Sequence, residues 1–154
     1  VSYGQRPKDA ANWREKLTRD IALAPTRTHF LGKLPYDAYR RVLQVSAAHV
    51  YLSYPFVLSW SMLEAMASGL PVIATAVGGN AELVVPGGTG ALVPAADPGA
   101  MARALMCYAA DAALRHEHGA AGRQRVEQGF SLDAMVARYT ALYEGLLPSL
   151  ALGR

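Results

Sequence analysis

The stretch Tyr51-Leu-Ser-Tyr-Pro-Phe-Val-Leu-Ser-Trp-Ser-Met-Leu-Glu-Ala-Met-Ala-Ser-Gly-Leu-Pro-Val-Ile-Ala-Thr75 narrows the folds open to this chain more than any other. An apolar run, a loop holding Pro55, about two turns of helix, a Gly69 stop and a second apolar run after Pro71 read as a tight βαβ crossover. Leu63, Met66, Ala67 and Leu70 follow helical spacing and are expected to face the core. The small residues Ala65, Ser68 and Gly69 let that helix lie close to a sheet.

The same alternation runs along the chain. Residues 28–31, 49–53, 72–75 and 91–93 read as strands, and residues 9–21, 36–45 and 61–68 as helices, which predicts βα units around a parallel sheet. Asp97 before Pro98 is a helix start, an N-cap acceptor followed by proline at the first position. Beyond it the pattern divides into helices over 98–110, 112–127 and 132–146. Leu132, Met135, Val136, Tyr139, Leu142 and Tyr143 recur at helical spacing, and this stripe is expected to pack against the sheet. The fold class is therefore α/β, a doubly wound parallel sheet of about four strands with a helical C-terminal part, forming one domain over 1–154. Ligands of such sheets sit beyond the carboxyl ends of the strands. The loops of interest are then 32–35, 54–60, 76–80 and the turn after Val93.

Composition limits the partners. With 154 residues, 52% of them apolar, the chain buries a core of its own. A net charge of +3 suits a small anionic ligand or a membrane surface and falls short of a nucleic-acid stripe. Cys107 stands alone, so no intramolecular disulfide forms and a reducing cytoplasm fits. The uncharged stretch 42–63 holds Gln44, four serines, His49 and Pro55, and reads as strand, turn and helix start instead of a membrane span. The N-terminal residues have no secretory-signal pattern. His116 and His118 are two apart on a helix and point to different faces, which argues against a zinc pair. His29 and His49 fall on strands as ordinary hydrogen-bonding residues, and Tyr36, Tyr39, Arg40 and Arg41 read as a solvated helix face.

The chemistry concentrates at the start of the helix over 61–68. A helix beginning at the carboxyl edge of a sheet offers unpaired N–H groups and a positive dipole end to a phosphate. Glu64 follows nearby, and an ionised carboxylate accepts two hydrogen bonds, as a sugar diol requires. That pairing suits a nucleotide whose diphosphate and ribose are held side by side. Ser61-x-x-Glu64 satisfies capping-box spacing as well, in which Glu64 reaches back to its own helix start.

Leu-Glu-Ala-Met-Ala-x-Gly-x-Pro-Val-Ile-Ala-Thr, then Val77-Gly-Gly-Asn-Ala-Glu-Leu-Val84, then Gly88-Thr-Gly-Ala-Leu-Val93 and Asp97, resembles the donor-binding half of family 4 retaining glycosyltransferases of GT-B architecture. The resemblance runs from about Thr28 to Tyr143. It implies that Glu64 binds the ribose hydroxyls of a nucleotide-diphosphate sugar. It further implies that the backbone of Val57, Leu58, Ser59 and Trp60, with Gly78 and Gly79, contacts the diphosphate and sugar, and that Gly32, Lys33 and Leu34 lie against the base. Gly78 and Gly79 read equally as a hinge that needs φ > 0. The implied reaction is transfer of a hexose, with retention, to a glycan, lipid or polysaccharide precursor bound by a separate N-terminal domain. No cofactor or obligatory metal is implied, and the protein is expected in the cytoplasm, with peripheral association at the inner membrane face.

Two departures qualify the likeness. Phe56 stands eight residues before Glu64, where the family usually has a second glutamate, and Val57 and Ser59 replace smaller glycines. The family's Arg and Lys for the leaving diphosphate have no match, since Arg6 and Lys8 lack a strand and glycine-rich turn. The chain is therefore expected to lack the acceptor domain and the first βαβ unit, and to be inactive alone. The alternatives are a sugar-nucleotide 2-epimerase of the same architecture and a non-catalytic sugar-nucleotide-binding module. A NAD-dependent dehydrogenase is disfavoured because neither Val77-Gly-Gly-Asn nor Pro86-Gly-Gly-Thr-Gly90 forms Gly-x-Gly-x-x-Gly.

Overall fold

The structure, a computed structural model, describes residues 7–53 and 57–151, with side chains to residue 147. Arg6, Pro55 and Phe56, all weighed above, lie outside the described residues. Chain contacts group the molecule into two units, 1–39 and 40–154.

In the first unit, α1 (Trp13–Asp20) starts later than the pattern predicts, because Asn12 caps it and accepts a hydrogen bond from the Glu15 N–H. Lys16 and Arg19 bridge Asp9 and Asp20, and these exposed pairs hold both carboxyls below their ordinary range and both cations above theirs. The Arg14 guanidinium lies 4.8 Å from the centre of the Phe30 ring. Residues 28–31, expected as a strand, join no ladder among the described residues. A strand exists only through a neighbour's N–H and C=O groups.

α2 (Tyr36–Val45) matches its predicted span, with Leu43 buried. The second unit then builds a three-stranded parallel sheet, in the order β1 (His49–Tyr51), β2 (Val72–Thr75), β3 (Gly90–Val93). Among the described residues the sheet has three strands where about four are expected. All four residues of β2 are buried, which requires cover on both faces of the sheet. Ile73, Val93 and Tyr108 form one cluster with Met101, Ala104 and Leu114 around it. Val72 and Ala74 alternate to the opposite face.

The crossover helix is α3 (Trp60–Ala67), which packs on β1 and β2. Its buried residues are Met62, Ala65 and Met66, whereas Ala67 is exposed and Leu63 half-buried. The core face is rotated from the one predicted because the helix meets a second layer, α6 (Ala112–Gly129), as well as the sheet. Gly69, at φ 79°, ends the helix, and the Leu70 N–H returns to the Ala65 carbonyl at 3.0 Å. A short unpredicted helix, α4 (Asn80–Leu83), follows β2. α5 (Pro98–Ala110) begins at its predicted cap, the Asp97 carboxylate accepting from the Ala100 N–H at 2.8 Å.

α7 (Leu132–Ala151) departs from expectation in its packing. Leu132, Met135, Val136, Tyr139, Leu142 and Tyr143 are exposed and do not pack on the sheet. Among the described residues α7 packs chiefly on α6, while α3 and α5 lie against the sheet. Part of the stripe, with Trp60, Leu63 and Phe130, lines an apolar groove of about 420 Å³. None of the helices among the described residues is long and apolar enough to cross a membrane.

His116 is exposed, and His118 is 6% exposed with Nδ1 2.8 Å from the Tyr108 hydroxyl. Burial pushes the Tyr108 hydroxyl up to about 12, so it stays protonated beside Nδ1. Tyr108→Phe leaves that buried nitrogen without its hydroxyl partner, and is expected to cost about 1–3 kcal/mol in urea unfolding. A cost under a few tenths would mean that His118 finds water instead.

Candidate functional site at the carboxyl edge of the sheet

Three segments leave the carboxyl ends of the parallel strands, and two hold residues singled out above. After β1 come Leu52 and Ser53, and Val57 to Ser59 lead into α3. Ser59 is the N-cap of α3, in extended conformation, but its hydroxyl does not cap. Its Oγ instead lies 2.9 Å from Ser61 Oγ, which is 3.4 Å from His49 Nε2. The Ser59 carbonyl accepts from the Met62 and Leu63 N–H groups. Among the described residues the leading N–H groups of Trp60 and Ser61 therefore have no acceptor, and they carry the positive end of the helix dipole. Burial holds the His49 imidazole below its ordinary value and favours the neutral ring there.

Glu64 is the fifth residue of α3 and half-buried. Since the helix starts from Ser59, Ser61 is not the N-cap and Glu64 is not at the third helical position, so the capping-box geometry does not form. Among the described residues its carboxylate has no hydrogen-bond or ion-pair partner, and its carbonyl accepts from Ser68. A carboxylate without an internal partner is open to a diol.

After β2, Val77 turns back to the Thr75 carbonyl, Gly78 adopts φ 54° and Gly79 becomes the N-cap of α4. The hinge reading of Gly78 is thus met, since a side chain at that φ is strained. A Cβ built on Gly79 would stand 4.0 Å from Leu58 Cδ1, so the glycine turn and the loop into α3 are neighbours. Val57 and Trp60 are exposed, Trp60 at 79%, and Leu58 and Ser59 half-buried. The structure thus brings Leu58 beside Gly79, with Ser59 and Trp60 continuing into α3. Gly32 and Lys33 are exposed and Leu34 half-buried, and all three belong to the first unit.

Two buried polar residues missed in the sequence tie these segments together. The Thr75 hydroxyl, on a residue 7% exposed, donates to the Ser53 carbonyl at 2.9 Å and accepts from the Ser53 N–H at 3.2 Å. Asn80, 3% exposed, donates through Nδ2 to the Thr75 carbonyl at 2.8 Å. From α6, Arg125 donates to the carbonyls of Glu82 and Leu83 and holds the far end of α4. The signal available in sequence was a threonine at a strand end and an asparagine opening a short helix, both commonplace. The turn after Val93 leads to the start of α5, and with Leu52, Ser53, Thr75 and Met101 it lines an apolar cleft of about 470 Å³. Among the described residues no group of three or more His, Cys, Asp or Glu is placed to hold a metal.

A parallel α/β sheet flanked by helices is the class of fold whose ligands sit beyond the carboxyl ends of the strands. Comparison with known proteins narrows it: the family described as Glycosyl transferases group 1 matches residues 1–111, and the chain belongs to that family. It is 36% identical over 151 residues to the lipopolysaccharide core biosynthesis mannosyltransferase LpcC of Rhizobium leguminosarum bv. viciae, covering 96% of this chain and 42% of that protein. It is 32% identical over 121 residues to N-acetyl-alpha-D-glucosaminyl L-malate synthase of Bacillus anthracis, covering 79% of this chain and 31% of that protein. Among solved structures, sucrose-phosphate synthase from Thermosynechococcus elongatus superposes with a TM-score of 0.74 at 33% identity, covering 95% of this chain and 37% of that one. The fold matches the Rossmann-like part of GT-B glycosyltransferases. The chain spans less than half the length of each of these relatives.

Proposed function

We propose that this chain is the donor-binding part of a retaining family 4 glycosyltransferase, which moves a hexose from a nucleotide-diphosphate sugar to a glycan, lipid or polysaccharide precursor. Glu64 carries the reading: among the described residues its carboxylate has no hydrogen-bond or ion-pair partner, and it lies on the same short helix as two N–H groups without an acceptor there. In this reading Glu64 accepts the ribose hydroxyls, and the backbone at Val57, Leu58, Ser59 and Trp60, with Gly78 and Gly79, faces the diphosphate and sugar. Gly32, Lys33 and Leu34 contact the base. Fixed N–H donors and a helix dipole stabilise charge that grows on a departing diphosphate, which is how such a site lowers the barrier. The acceptor is bound by a domain outside residues 1–154, and the acceptor-side acid–base groups of an epimerase are not part of the proposal.

The test is calorimetric titration of UDP and GDP into the intact protein. Glu64→Ala is expected to weaken the preferred diphosphate by about ten- to a hundredfold, the scale of hydrogen bonds to a charged group. Thermal unfolding is expected to be unchanged, since the carboxylate caps nothing. Equal affinity in variant and parent would remove the ribose role.

A further inference from the structure

We infer that Thr75 is a positioning residue for the donor site, acting through its clamp on the Ser53 backbone; the inference rests on the donor reading above. The β1–β2 ladder ends with Tyr51 opposite Ala74, two residues before Ser53. The Thr75 hydroxyl takes over there, donating to the carbonyl and accepting from the N–H of the same residue. A side-chain hydroxyl can serve both roles at once because it has one proton and two lone pairs. Ser53, just past the end of β1, is therefore anchored to β2 by one buried oxygen, and Leu58, just before α3, lies beside Gly79.

Thr75 is also the node for the second segment. Its carbonyl accepts from the Val77 N–H at 2.8 Å and from Asn80 Nδ2 at 2.8 Å. The glycine turn and the loop preceding the uncapped N–H groups are thus referenced to one residue, from opposite sides. Donors aimed at a diphosphate lose effect steeply with small displacements, so a fixed common origin sets their mutual geometry. Removing the hydroxyl frees one segment while leaving the carbonyl contacts of the other.

Valine matches threonine in shape and lacks only the hydroxyl, whereas serine keeps it. In the intact protein, Thr75→Val is expected to weaken UDP or GDP binding about tenfold, the scale of one charged hydrogen bond lost from the cradle. UMP and GMP affinities are expected to change less than about twofold, because the ribose contact stays on α3. Thr75→Ser is expected to restore the diphosphate affinity. Should the valine variant not fold, Thr75→Cys against Thr75→Ser makes the same comparison, since a thiol donates and accepts weakly. Unchanged diphosphate affinity in a folded valine variant would overturn the inference, as would equal losses of mono- and diphosphate that serine fails to rescue. A parent protein that binds neither UDP nor GDP would instead overturn the donor reading, and this inference with it.

Discussion

Gly119→Ala is expected to cost the second unit about 3 kcal/mol or more, the upper range for overpacking a filled interior. Gly119 is buried on α6, where that helix crosses the turn joining α3 to β2. A Cβ built there would overlap the Gly69 carbonyl oxygen and lie 2.8 Å from its carbon. The obstacle is backbone, and it belongs to a turn fixed by Gly69 at φ 79° and by the Leu70-to-Ala65 hydrogen bond. Neither side can yield by changing a rotamer, so the helices must separate. Separation also unseats Met66, whose Cε packs 3.5 Å from the Cβ position of Gly122 one turn along. Gly145→Ala is the control, since a Cβ there meets nothing within 4 Å. It is expected to stabilise α7 by up to about 1 kcal/mol, the helix-propensity difference. Urea unfolding of both variants checks the pair, and comparable midpoints would show that α6 does not press on Gly69.

The contrast between these two glycines explains what was legible in the sequence. Elements marked by local chemistry were placed closely: α5 by its Asp97–Pro98 start, α2 by its periodicity, and β2 by its Pro71 opening. Elements that depend on a distant neighbour were not. Residues 28–31 have strand composition, yet no ladder forms within their unit. The α7 stripe has core spacing, yet α6 and α3 already occupy the layer it was assigned to. The buried face of α3 likewise shifts to Met62 and Ala65, because α6 approaches through Gly119 and Gly122 from a direction that periodicity cannot encode.

The site divides in the same way. The turn at Gly78 is readable because positive φ leaves a residue-type signature, whereas Gly79 sits at φ −73° as the N-cap of α4 and the helix expected over 61–68 starts one residue earlier, at Trp60. Thr75 and Asn80 are not readable, because their side chains bond only to backbone groups that the folded sheet and its loops bring close. Val57, Leu58, Ser59 and Trp60 were assigned through backbone groups, which any side chain would leave unmarked.

The second large effect falls on the sheet itself. Gly90 opens β3, pairs with Val72 and is buried between β2 and the residues after α4. A Cβ on Gly90 would overlap the Val72 carbonyl oxygen and stand 2.9 Å from its carbon and 3.0 Å from Val84 Cγ1. Val72 and Val84 are fully buried, so the strand has no free side to move toward. Gly90→Ala is expected to cost about 3 kcal/mol, near the top of the overpacking range. The first β2–β3 register pair should open first. Because β2 carries Thr75 at its far end, the variant separates two roles of that strand. Loss confined to the Gly90 end leaves the Thr75–Ser53 clamp in place, and slow amide exchange at Ser53 is retained. If the whole strand is one cooperative unit, protection falls together from Val72 to Thr75 and at Ser53. The all-buried pattern of β2 favours the cooperative outcome, since no residue along it is solvated enough to fray alone. Urea unfolding with residue-resolved hydrogen exchange checks both parts. A variant of parental stability would show that the Val72 carbonyl does not press on β3.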